Sequence, residues 1–117
     1  MDGILSKKLS VEYTYKKQTG GRGLYAKVII EFKRCEEEGL HLINKISDGA
    51  IPKNYFPGIE EGLHEALQNC TLAGYPYVGL EATLIDGKCH PTDSNELSFK
   101  MAAIEAFNSY VKQISEN

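Results

Sequence analysis

His90 sits in Asp86-Gly87-Lys88-Cys89-His90-Pro91-Thr92-Asp93-Ser94, a polar run that brings an aromatic donor and hydroxyls close to an expected helix start. Loops of this kind, held on a rigid scaffold, are where binding residues concentrate, and a helix start offers further N–H donors. A second cluster is Gly20-Gly21-Arg22-Gly23. Its bare backbone can approach a phosphate while Arg22 neutralises the charge, although the same glycines also suit a plain hairpin tip. His41 and His64 fall inside an expected strand and an expected helix, where histidine reads as a spacer. Cys35, Cys70 and Cys89 are odd in number and form no Cys-x-x-Cys pair, so they read as reduced thiols with neither a disulfide framework nor a zinc site. The chain has no Gly-x-x-x-x-Gly-Lys-Ser/Thr loop, no Gly-x-Ser-x-Gly elbow and no His-Glu-x-x-His pair. No catalysis, metal or cofactor is therefore expected of the chain itself.

The elements that must position these residues follow from periodicity. Leu9 to Lys17 alternates, with Val11, Tyr13 and Tyr15 on one face and Glu12, Thr14 and Lys16 on the other, as a half-buried strand does. Leu24, Ala26, Val28, Ile30 and Phe32 repeat the pattern, so the two runs are expected to pair through a long glycine-rich tip at residues 19–23. A third strand is expected from Leu40 to Ile46, after the acidic turn Glu36-Glu37-Glu38-Gly39. Ile59, Leu63, Leu67 and Cys70 then recur at helical spacing, predicting a helix over about 54–69 with Pro57 tolerated in its first turn. Tyr77 to Ile85 reads as a fourth strand ending at Asp86-Gly87. A second helix follows, with Asp93 as its cap, Glu96 reaching back to complete a box, and an apolar stripe of Leu97, Met101, Ile104, Phe107, Val111 and Ile114. The order β-β-β-α-β-α predicts an α+β fold, a four-stranded sheet with two helices on one face.

The totals set the class. A chain of 117 residues with 42% hydrophobic content suits one domain, residues 1–117. No run reaches the roughly 18 to 20 apolar residues of a membrane helix, and the first ten residues lack a signal-peptide core, which predicts a soluble, cytoplasmic chain. The net charge of −3 is unevenly spread. Residues 1–34 carry eight Lys or Arg against Asp2, Glu12 and Glu31, a balance of +5, so the remainder carries −8. One basic end on an acidic body suits local contact with RNA, with other parts of a larger protein adding affinity.

Five blocks of the chain, taken in order, resemble the fourth domain of bacterial elongation factor G, a translational GTPase. They are Val11-Glu12-Tyr13, Lys17-Gln18-Thr19-Gly20-Gly21-Arg22-Gly23, Asp48-Gly49-Ala50-Ile51-Pro52-Lys53-Asn54-Tyr55, Leu72-Ala73-Gly74-Tyr75-Pro76, and His90 with Asp93-Ser94. The resemblance implies a ribosomal-protein-like fold with a left-handed strand-helix-strand crossing. It also implies a monomeric module excised from a larger protein, whose GTP and magnesium would sit in a GTPase domain outside this chain. In that family the hairpin tip and the histidine loop lie together at the far end of the domain and enter the small-subunit decoding site beside the tRNA-mRNA duplex. By resemblance Gly20, Gly21, Arg22, Gly23, His90, Pro91, Thr92, Asp93 and Ser94 form that ribosome- and RNA-contacting tip.

The strand order agrees with this picture. A fourth strand parallel to the first would end at the same pole as the first hairpin. Two departures stand out: where the family loop reads roughly His-Asp-Val-Asp-Ser-Ser, this chain has Pro91, Thr92 and Asn95, which removes one acid and stiffens the backbone after His90. An elongation factor G paralogue or a ribosomal protection protein is the alternative within the family. Outside it stands a free-standing small-molecule kinase, which would need a phosphate loop backed by a helix, whereas Gly20 to Gly23 leads into a strand.

Overall fold

A computed structural model describes residues 8–19, 22–46, 51–70, 79–90 and 92–115. The alternating run continues further than periodicity alone gives: β1 spans Leu9–Thr19 and β2 spans Arg22–Cys35. They pair antiparallel without a break from Leu9 opposite Phe32 to Thr19 opposite Arg22, so the expected long tip narrows to the two positions between those last partners. Because the pleat has period two, this register puts Val11, Tyr13 and Tyr15 on the same face as Ile30, Val28 and Ala26.

β3, Gly39–Asn44, ends two residues short of the expected limit. The side chain of Asn44 takes the amide of Ile46 at 3.0 Å, a local turn at the strand end, while the amide of Lys45 still donates to the carbonyl of Leu84 at 2.9 Å. A short 3-10 turn, Lys53–Tyr55, leads directly into α1, Phe56–Asn69, with Pro57 in the first turn as expected. β4 covers Gly79–Lys88. Asp86 and Gly87, expected as a turn, lie within this strand opposite Ile29 and Val28, because a register shift between Ile29 and Ile30 lets the pairing resume beyond Ile85. A side chain at Gly87 would run into that of Ile51, so the bare position lets the residues before α1 close over the strand.

The sheet order is β1-β2-β4-β3, with β2 antiparallel to both β1 and β4 and β3 parallel to β4. The two ends of the β3-α1-β4 connection are therefore adjacent parallel strands. The last element, α2, runs Glu96–Ser115. One hydrophobic core joins a single face of the sheet, including Val28, Ile30, Phe32, Leu80 and Leu84, to Ile59 and Leu63 of α1 and to Phe99, Phe107 and Tyr110 of α2. Phe32 stacks on Tyr110 at 5.0 Å between centroids and meets Phe107 edge-on at 5.9 Å. The α+β sheet with two helices is as expected.

The buried face of α2 is only partly the expected one: Phe107 and Val111 are buried and Ile104 and Ile114 pack against the core, but Leu97 does not. Ser98, Phe99, Ala102, Ala103, Ala106, Phe107, Tyr110 and Val111 are buried, whereas Leu97 is 52% exposed and Met101 and Ile104 are half-buried. Two partners press on this helix at once, the sheet and α1. Close approach selects small residues: a Cβ at Gly58 or Gly62 of α1 would stand 2.6 Å from the carbonyl oxygen of Glu96 or Lys100. The expected stripe shares Phe107 and Val111 with the true contact and misses Phe99, Tyr110 and the three alanines beside them.

Candidate nucleic-acid interface

β1 and β4 both run antiparallel to the strand between them, so they end at one pole. That pole carries the end of the β1–β2 hairpin and the loop of residues 89–95. After the last ladder pair, Lys27 opposite Lys88, the loop takes over the edge of β2 that β4 leaves. The amide of Tyr25 donates to the carbonyl of Asp93 at 3.0 Å. The hydroxyl of Ser94 donates to the carbonyl of Tyr25 at 2.6 Å and accepts the amide of His90 at 2.7 Å. The Ser94 amide closes the turn on the carbonyl of His90 at 3.2 Å, and Tyr55 Oη donates to the carbonyl of Ser94 at 3.1 Å. Tyr55 itself stacks on Phe99 at 5.3 Å, so the loop is tied through it to the core.

His90 is half exposed. Its Nδ1 accepts the amides of Thr92 and Asp93, both at 3.2 Å. A nitrogen that accepts N–H groups offers its lone pair, which in this geometry leaves Nε2 as the ring's donor. The carboxylate of Asp93 lies 3.9 Å from Nδ1, but with an unprotonated Nδ1 this approach is no ion pair. The ring lies 6.2 Å from that of Tyr25 at a tilt of 57°.

Helix α2 is capped two residues later than expected. Asn95 Oδ1 takes the amide of Ser98 at 2.7 Å, and Ser98 Oγ takes the amide of Asn95 at 2.9 Å, a reciprocal box that replaces the expected pair of Asp93 and Glu96. Asp93 is committed elsewhere: its carbonyl is bonded to Tyr25, and its carboxylate faces Gly23, where an added Cβ would stand 2.8 Å from Oδ2.

Of the expected tip residues, His90, Thr92, Asp93, Ser94 and Gly23 come together here. Ser94 is buried and acts as a tie between the two loops. Gly20, Gly21, Pro91 and the side chain of Arg22 lie outside the described residues, as do the expected blocks at 48–50 and 72–76. Sequence reasoning passed over Lys16, Tyr25 and Tyr55. Tyr25 left a signal: it is a large aromatic in the polar phase of β2, and its partner across the ladder is Lys16.

The basic segment is partly neutralised within the sheet. Lys27 Nζ lies 2.9 Å from Glu12 Oε2, and that hydrogen bond, with the attraction of the same carboxylate, holds the ammonium above its ordinary range. Lys8 approaches Glu31 at 3.8 Å. Cys35 is held protonated, since burial raises its thiol, and the three cysteines are free thiols. No helix among the described residues is long and apolar enough to cross a membrane.

Residues 2–114 match the family model described as elongation factor G, domain IV. The chain is 43% identical over 110 residues, 93% of its length, to elongation factor G of Fervidobacterium nodosum, and it spans 16% of that protein. Its fold matches a crystal structure of a protein from Thermus thermophilus with a TM-score of 0.81 at 36% identity, covering 94% of this chain and 16% of that one.

Proposed function

This chain belongs to the elongation factor G domain IV family, a translation elongation factor domain, and from that premise we propose that its hairpin end and histidine loop form one RNA-contacting tip. The tip enters the small-subunit decoding site beside the tRNA-mRNA duplex and supports messenger-tRNA movement. The chain is one non-catalytic folding unit of a larger cytoplasmic GTPase, whose GTP and magnesium are held by another domain. The observation that carries the reading is the tie between the loops, Tyr25 amide to Asp93 carbonyl with the Ser94 hydroxyl bridging Tyr25 and His90. Two loops joined this way can push into RNA as a unit, with the half-exposed ring of His90 among them.

Translocation kinetics by rapid mixing, run beside a GTPase assay on the full-length protein, test it. His90→Ala slows messenger-tRNA movement and leaves ribosome-stimulated GTP hydrolysis near normal, since hydrolysis happens elsewhere. Arg22→Ala does the same more mildly, loss of one exposed phosphate contact being worth ~1 kcal/mol. Normal movement by His90→Ala, or a proportional loss of GTPase activity, rules the reading out.

A further inference from the structure

Between the tied loops lies a cleft of about 310 Å³ lined by Lys16, Lys17, Gly23, Leu24, Tyr25, His90 and Asp93, at the small end of the ~300–1,000 Å³ typical of ligand cavities. We infer that this cleft seats one unstacked ribonucleotide of a single-stranded RNA, an inference that rests on the reading of the tip as an RNA contact and names what it holds.

Three chemistries meet in the cleft. Tyr25 and His90 supply aromatic surface, Lys16 and Lys17 supply positive charge, and Asp93 supplies a carboxylate. Two of them exclude alternatives. A bare phosphate would gain from the lysines but be repelled by Asp93, whereas a ribose hydroxyl donates to a carboxylate. A base inside a duplex has both faces covered and cannot lie on an aromatic ring, while a splayed base can. The ring spacing of 6.2 Å and tilt of 57° leave no parallel slot, so the base lies against one ring and meets the other at its edge. His90, with Nδ1 occupied by two amides, donates from Nε2 to an acceptor of the base or its phosphate. Gly23 keeps the floor open: with a Cβ there, the Asp93 carboxylate would have to swing away.

The test uses this 117-residue chain, isotope-labelled, titrated with a four-residue oligouridylate and followed by NMR at Gly23, Tyr25 and His90. Saturable shifts at all three are expected. Tyr25→Leu weakens binding about tenfold, and Tyr25→Phe, which keeps the ring, stays within about twofold, with melts confirming that both fold. Inorganic phosphate at equal concentration leaves the Tyr25 ring unmoved. If phosphate reproduces the shifts, or Tyr25→Leu binds as tightly as the unaltered chain, the inference is overturned. Co-sedimentation with ribosomes separates the two readings. Sedimentation without any oligouridylate response removes the nucleotide seat and leaves the tip reading standing. Oligouridylate binding without sedimentation supports the seat and removes the decoding-site reading.

Discussion

The hydroxyl of Ser94 lies 2.6 Å from the carbonyl of Tyr25, to which it donates, across 69 positions of sequence. The same oxygen accepts the amide of His90, so this hydroxyl, beside the backbone bond from Tyr25 to Asp93, ties the histidine loop to the hairpin end. Ser94→Ala strands a carbonyl and an amide at once. Each orphaned group costs about 1–3 kcal/mol when buried, less where water reaches it. Urea denaturation is expected to show a loss of about 2 kcal/mol, and oligouridylate binding should fall with it. An unchanged midpoint would mean that the backbone bond from Tyr25 to Asp93 holds the loops alone.

Asn95→Ala removes one half of the reciprocal box with Ser98, while Asp93→Ala leaves the box intact. A lost cap costs ~1 kcal/mol of helix stability. The melting temperature should therefore drop for Asn95→Ala and stay nearly level for Asp93→Ala. The reverse order would restore Asp93 as the cap.

Within an exposed helix, Gly→Ala gains roughly 1 kcal/mol through propensity. Gly62→Ala is expected to have the opposite sign, because its Cβ would stand 2.6 Å from the backbone oxygen of Lys100, which cannot rotate away. Pushing two packed helices apart costs about 1–3 kcal/mol. Chemical denaturation decides the sign.

Lys100 lies 3.2 Å from Glu65 and 3.7 Å from Glu61, and the hydrogen bond to Glu65, followed by the attraction of both carboxylates, raises its ammonium above 10.5. A folded pKa above the unfolded one stabilises fully below the unfolded value of 10.5 and is lost as pH rises through the folded value. The stability gap between the unaltered chain and Lys100→Met should thus persist from pH 7 to about 10 and close above 10.5. The two carboxylates are exposed and the ammonium is partly so, and added salt should therefore narrow the gap at every pH. A gap that widens with alkali would remove the ion pairs as its source.

What the sequence determined by itself is whatever depends on neighbours along the chain. Alternation in Leu9 to Lys17 and in Leu24 to Phe32 decided which residues face the core, because a strand offers only two faces and apolar residues choose one. The spacing of Ile59, Leu63 and Leu67 did the same for α1, and the five family blocks carried the fold. The tertiary structure decided what depends on a second partner. On α2 the sheet and α1 compete for the helix surface, so Ala102, Ala103 and Ala106 are buried and Leu97 is left out, against any ranking by hydrophobicity. Asp93 and Asn95 are both good caps by residue type. Asn95 took the role because the backbone of Asp93 was already bonded to Tyr25, and a long-range bond of that kind leaves no trace in local spacing. Likewise His90 was legible as a loop residue, but its tautomer follows from amides folded back onto Nδ1, and the cleft beside it exists only because β1 and β4 end at the same pole.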